Sequence, residues 1–310
     1  MQGTIDGFTY GWVTPVIAYV MACLGAALGL RCTTRSLLVA DSWRPGWLAL
    51  GSAAIGSGIW TMHFVAMMGF TVRESPINYD ITMTFASLGV AIVMVGVGVF
   101  IVGYKGGTTL ALLTGGTLTG LGVASMHYLG MAAMHLNGRL LYDTGTVVLS
   151  VLVAVFAATA ALWAAAQVRG FGWTLGASLV MGVAVTGMHY TGMAALSVSV
   201  HDGAGSLSGA SSAELLTPML IGPLAFLLLA GVIVMFDPVL IMGRSEWEAG
   251  QAADRARAER AAAAQQSVFT PTTPAFRPAG TPAAPYGAGP YGGAPGAAPT
   301  RPAQPGSENW

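Results

Sequence analysis

The chain is poor in charge. Of 310 residues only 8% are Asp, Glu, Lys or Arg, while 54% are hydrophobic, where a soluble domain carries about 25% charged residues. That shortage excludes a soluble globular class and leaves an integral membrane protein. Basic and acidic residues balance at 13 each, and no basic cluster invites nucleic acid. Cysteine is nearly absent too. Cys23 and Cys32 stand about 13 Å apart along a helix, too far for a disulfide, and read as small apolar fillers. The first ten residues lack the basic start of a signal peptide, so the first apolar stretch is read as a retained span. Neither a Ser-His-Asp arrangement with a plausible elbow nor a P-loop is found. The glycine-rich stretch 115–122 lies inside an apolar segment, where it serves packing. No enzyme is expected, and no catalytic output domain fits the chain.

What is present is apolar length. Crossing a bilayer as a helix takes roughly 17–25 apolar residues, and seven stretches qualify: about 12–30, 47–71, 81–103, 108–136, 146–168, 173–200 and 216–242. Their abundant Gly and Ala suit close packing between membrane helices. Arg31, Arg35, Arg44, Lys105, Arg169, Arg244, Arg255, Arg257 and Arg260 fall in connections on one side, against Arg73 and Arg139 on the other. The excess of Lys and Arg puts the N-terminus outside and the C-terminus on the cytoplasmic side of the membrane. The membrane domain spans 10–243. Residues 244–269 suit a short Ala-rich cytoplasmic helix, and 270–310 are Pro, Gly and Ala, a composition that cannot bury a core and reads as disordered.

The spans repeat. Ala22-Cys23-Leu24-Gly25 matches Ala86-Ser87-Leu88-Gly89 at the offset that relates His63 to His127. The expected fold is an all-α membrane protein: seven transmembrane helices from three tandem two-helix repeats plus a seventh helix, then the tail. Parallel repeats of this kind are related by an axis along the membrane normal. That axis would bring His63, His127 and His189, one on each even-numbered span and eight to twelve residues before its outer end, to one depth in the outer half of the bilayer.

Helical geometry sorts their neighbours. At 100° per residue, Met67, Met131 and Met193, four places on, share the face of their histidines one turn nearer the outside. Met62, Met126 and Met188, just before each histidine, point toward an adjacent helix. Gly56, Gly120 and Gly182, seven places before, lie beneath on the same face and would admit close helix packing. Imidazole with thioether suits copper, Cu(I) above all. Haem is the rival cofactor, since His and Met both serve as axial ligands and His135 could complete a pair. The plain alternative is that each histidine bonds a backbone carbonyl or hydroxyl and each methionine fills a gap. His201 reads as solvated in a polar loop, Asp237-Pro238 as a helix end at the interface, and Arg73-Glu74 as an ordinary loop pair.

Met188-His189-Tyr190-Thr191 spells MHYT, and the three copies of Met-His-[Phe/Tyr]-x-[Ala/Gly]-Met, with Tyr79-Asp80 at the start of span three, resemble the bacterial MHYT-domain membrane sensors. The resemblance covers roughly residues 10–243. It implies a seven-helix sensor binding copper near the outer face through Met62, His63, Met67, Met126, His127, Met131, Met188, His189 and Met193, with O2, CO or NO as the sensed ligand. Many relatives join this domain to cyclic-di-GMP modules. This sequence has no such module, so an output would pass through a cytoplasmic or membrane signalling partner. Phe64 stands where the other copies have Tyr128 and Tyr190. The rival functions are a copper-handling or transport protein without signalling, a membrane enzyme using the metal, and a structural membrane protein with no metal.

Overall fold

A computed structural model describes residues 2–37, 43–167, 171–200 and 210–236, with 252, 255–260 and 262 beyond them. Seven helices dominate: α1 (Val13–Ser36), α2 (Arg44–Met68), α3 (Ile81–Lys105), α4 (Thr109–Ala132), α5 (Thr144–Gln167), α6 (Phe171–Ala194) and α7 (Ser212–Met235). All but α6 are long and apolar enough, by length and composition, to cross a membrane. Large apolar side chains such as Val93, Leu110, Phe156 and Val180 face outward, as lipid-facing surfaces do, and the protein is an all-α, multi-pass membrane protein. At the end of the bundle where even-numbered helices begin, Trp43, Tyr104, Trp163 and Trp173 are exposed, the placement of amphipathic rings at a headgroup boundary. The guanidinium of Arg44 lies 5.9 Å from the Tyr104 ring there.

The six helices α1 to α6 close a ring. Each packs on the next in sequence, α6 packs on α1, and α7 lies outside the ring against α2 and α1. The approaches are close because glycines remove side chains from the contacts. A Cβ on Gly25 would meet the Gly58 Cα at 2.7 Å, and one on Gly98 would meet the Gly115 carbonyl oxygen at 2.6 Å. Gly56, Gly120 and Gly182 also sit at helix contacts, each with the odd-numbered helix of the neighbouring pair: a Cβ on Gly56 would stand 2.8 Å from the Ile92 Cα, while Gly120 abuts Val155 and Gly182 abuts Cys23. On α2 and α4, α3 and α5 are reached through these glycines; on α6 the same position reaches back to α1 and closes the ring.

At the α3–α4 turn Gly106 adopts φ 70°, a left-handed conformation that glycine accepts without a Cβ clash. Thr108 then caps α4, its Oγ1 accepting from the Ala111 amide at 3.3 Å. At the opposite end Asp80 caps α3, its carboxylate accepting from the Met83 amide at 2.7 Å.

That opposite end carries short strands where continuous helix was expected. The even-numbered helices stop at Met68, Ala132 and Ala194, so the apolar stretches running on to 71, 136 and 200 are helical only in part. Their last residues pair across the bundle mouth. β1 (Ile5–Asp6) pairs with β2 (Thr71–Val72), β3 (Asn78–Tyr79) with β4 (Met134–His135) and with β7 (Ala210–Ser211), and β5 (Gly138–Tyr142) with β6 (Leu196–Val200), all antiparallel. The connection after α2 thus pairs with that after α4, the second with that after α6, and the third with the first. These residues remain apolar because they roof the bundle: Phe70, Val72, Tyr79, Met134, Leu196, Val198 and Val200 are buried.

Cys23 and Cys32 are not joined in a disulfide. Residues 255–260 are helical, within the segment expected to form an Ala-rich helix. His201, Asp237-Pro238 and residues 270–310 lie outside the described residues.

Candidate metal centre

The even-numbered helices deliver one histidine each. His63, His127 and His189 stand five residues before the C-terminal ends of α2, α4 and α6, about 7.5 Å from each helix end. They are therefore nearer the helix ends than the apolar stretches suggested, and at one depth. All three are buried. Their Nδ1 atoms form a near-equilateral triangle: 3.0 Å from His63 to His189, 3.2 Å from His127 to His63 and 3.3 Å from His189 to His127. The rings stand at 79–89° to one another with centroids 5.0–5.1 Å apart, like the blades of a three-bladed propeller. Among the described residues, these histidines form the cluster of His, Cys, Asp and Glu groups that meets metal-ligand spacing.

Three such nitrogens cannot satisfy one another. A ring nitrogen that carries a proton donates and does not accept, and one without a proton accepts and does not donate. Donor and acceptor can alternate around an even cycle but not around a triangle, so at least one of the three short contacts sets two donors or two acceptors face to face. A cation at the centre, taking all three lone pairs, removes the conflict. The point equidistant from the three nitrogens, at their mean separation divided by √3, is about 1.8 Å from each. An imidazole–metal bond is about 2.0 Å, so the triangle needs to open by only a few tenths of an ångström. The residues fit a metal ion.

The outward edges of the rings have been given room by glycine. The Nε2 atoms of His63 and His127 are buried without a hydrogen-bond partner. A Cβ on Gly130 would stand 2.6 Å from His63 Nε2, and a Cβ on Gly192 would collide with His127 Nε2. Each glycine lies three residues after a histidine, in the next repeat from the ring it accommodates. The first repeat has Ala66 at this position. These residues were missed in the sequence, although the [Ala/Gly]-Met step at the end of each motif marked them.

The methionines are enclosed. Met62, Met67, Met126, Met131 and Met188 are buried and Met193 is partly buried. Met67, Met131 and Met193 lie one turn from the histidines toward the strand-roofed end, and Met188 lines an apolar cavity on the opposite side. The residue after each histidine secures the ring by edge-to-face packing, with centroids 4.7 Å apart for Phe64, 4.8 Å for Tyr128 and 5.0 Å for Tyr190. Tyr128 also shares a 2.6 Å hydrogen bond with Ser150 on α5. Trp60 donates from Nε1 to Ser87 Oγ at 3.0 Å and to the Thr84 carbonyl at 3.2 Å on α3.

His135 stands apart from the triad. It lies on β4 opposite Asn78, with its Nδ1 buried and unpartnered, and does not complete the cluster. Tyr79, next to Asn78, is fully buried against Phe64 at 6.1 Å, and burial raises its phenol well above the usual range. Glu74 is joined to the N-terminal segment, the Thr4 amide donating to its Oε2 at 2.7 Å, and the neighbouring Arg73 adds a smaller electrostatic attraction.

Fold and centre together define a multi-pass helical membrane protein with a buried three-histidine cluster between its even-numbered helices. Residues 56–115 and 120–177 match the MHYT family, described as "Bacterial signalling protein N terminal repeat", so the chain carries two copies of the MHYT repeat. Each matched repeat opens on the glycine seven places before its histidine, Gly56 or Gly120, and the third motif at 188–191 lies beyond the matched residues. The chain is similar to the bifunctional diguanylate cyclase/cyclic di-GMP phosphodiesterase MucR of Pseudomonas aeruginosa, 38% identical over 60% of this chain and 28% of the relative. It is similar also to the cyclic di-GMP phosphodiesterase NbdA of the same organism, 35% identical over 72% of this chain and 30% of the relative. A third relative is the signaling protein YkoW of Bacillus subtilis, 30% identical over 60% of this chain and 24% of that protein. The chain thus spans under a third of the length of these relatives. No solved structure matches it.

Proposed function

We propose that the protein is a membrane sensor module whose His63, His127 and His189 hold a single metal ion, copper in its Cu(I) state. The observation that carries this reading is the triangle of Nδ1 atoms at 3.0–3.3 Å, a grouping that protons cannot satisfy and one cation can. Three imidazoles alone suit zinc as well as copper. Two features favour Cu(I). Soft thioethers stand one turn away in each repeat, at Met67, Met131 and Met193. The cluster also contains no carboxylate, so the ion's charge is uncompensated in an apolar interior, where a monovalent ion costs far less than a divalent one. Met62, Met126 and Met188 belong to the same copper-binding motif and pack beside it.

Haem suits the geometry poorly. Axial nitrogens on a haem face each other across the macrocycle, whereas these three converge on a point. Copper transport is less well supported: on the other side of the histidines Ile59, Val123 and Val185 offer no ligand, and the thioethers of Met181 and Met188 come from α6 alone. Binding of O2, CO or NO at the copper, or a change in its redox state, would alter the spacing of α2, α4 and α6, and a cytoplasmic or membrane partner would read the change. The cyclic-di-GMP activities in the names of MucR and NbdA are not carried to this chain; its kinship with them supports the signalling role. The roofed end faces outward on this reading.

Elemental analysis of purified protein tests the metal. The wild type is expected to hold one copper per chain and a His63/His127/His189 triple Ala variant none. Equal metal in both, or none in either, would overturn the site.

A further inference from the structure

We propose that the cavity next to the histidine triad is a dry binding site for an uncharged diatomic gas. It is lined by α1 to α6, on the side of the triad away from the strands, and has a volume of about 50 Å3. Its lining follows the threefold arrangement. Ile59, Val123 and Val185, each four residues before its histidine, contribute one layer, and Ile55, Thr119 and Met181, eight residues before, contribute the next. The first layer stands one helical turn, about 5.4 Å, below the imidazoles. The odd-numbered helices break the symmetry. Where α1 and α3 present Leu30, Val95 and Val99, α5 presents a row of alanines that includes Ala154, Ala157, Ala158 and Ala161, with Leu162 the one large side chain among them. The space exists because α5 lacks bulk there.

Volume and polarity select the occupant. An apolar cavity of about 150 Å3 stays dry and takes benzene or xenon; one of a third that size excludes an acyl chain or a ring and accommodates a diatomic molecule. Water is disfavoured because it needs two to four polar partners, and the lining offers two hydroxyls. That of Thr33 is already committed to the Gly29 carbonyl at 2.9 Å. That of Thr119, on a side chain only 7% exposed, has no partner, which leaves one weak donor for a polarisable gas. Ile59, Val123, Val185 and Met188 then form the collar between this chamber and the copper ligands, so the chamber holds the gas and the collar meters its passage. That role rests on the sensor reading above; the binding site itself does not.

Xenon NMR on protein in nanodiscs, with metal content measured in parallel, tests the proposal. The wild type is expected to show one saturable xenon site beyond the lipid background. Ala158→Leu, which fills the chamber from α5, is expected to abolish it with copper content unchanged, and Val185→Phe provides the same test from α6 should the first variant not fold. Thr119→Val is expected to leave xenon binding equal or tighter. Absence of a saturable site in the wild type, its appearance only in Thr119→Val, or its persistence in both filled variants would overturn the proposal, the second outcome because it would reveal a water-filled chamber. The triple His-to-Ala protein is expected to keep the xenon site. Xenon binding without copper in the wild type would remove the metal reading and leave the chamber standing, and copper without xenon would do the reverse.

Discussion

Gly192 lies against the Nε2 edge of His127, so close that a Cβ at that position would collide with the imidazole. Gly130 bears the same relation to His63. The second and third repeats therefore set the ring positions of His63 and His127, and the geometry of the centre depends on backbone as well as on the imidazoles. Gly192→Ala should push His127 off its place in the triangle. Its expected effect is a fall in copper affinity of about tenfold to a hundredfold, the range found when groups supporting metal ligands are altered. Copper titration against a chelator checks this, with Ala66→Gly, which removes bulk at the matching position, expected to lose nothing.

On the proposed reading the methionines should separate copper from zinc. With Met67, Met131 and Met193 all changed to Leu, apolar volume is nearly conserved, so the fold should persist. Cu(I) affinity should drop while zinc affinity stays unchanged, since only the soft ion profits from thioether. Parallel titrations with both metals measure the difference.

Trp60 ties α2 to α3 through two hydrogen bonds from a fully buried ring. Trp60→Phe keeps most of the packing but loses the donor, leaving the Ser87 hydroxyl without it. A destabilisation of about 1–3 kcal/mol is expected, read from denaturation in mild detergent. Tyr128→Phe, breaking the single bond to Ser150, should cost less, about 1 kcal/mol.

Acid should loosen the roof at its N-terminal edge. Glu74 is held below its ordinary carboxylate range first by its side-chain hydrogen bond with Thr4 and then by the backbone bond from the same residue. A carboxylate with a lowered folded-state pKa contributes stability above its unfolded value, and that contribution disappears as pH falls through the folded value. Hydrogen exchange at the Thr4 amide should therefore be protected near neutrality and lose protection only as pH falls below the ordinary carboxylate range. Glu74→Gln should abolish the pH dependence.

Much of this was legible in the chain itself. Low charge and long apolar runs indicate a helical membrane protein, and a motif recurring at nearly constant spacing brings three histidines to one depth. The roof was not seen, because Phe70, Met134 and Leu196 continue the apolar runs of the helices before them. One segment did carry a signal: Leu196-Ser197-Val198-Ser199-Val200 alternates apolar and polar residues, the period of a strand buried on one face, and its burial alternates in step. The meeting of α6 with α1 brings together residues about 160 positions apart, Tyr19 and Leu179 among them, and nothing local encodes such a pairing. Gly130 and Gly192 read as ordinary small residues until the neighbouring ring is in view.

The placement of α7 has a further consequence. A centre with three equivalent sides has no preferred direction: a change at its middle displaces each side alike, and a partner surrounding the ring would find three similar surfaces. α7 covers only the seam between α1 and α2, so it marks one side out of three. It turns a change without direction into one with an address.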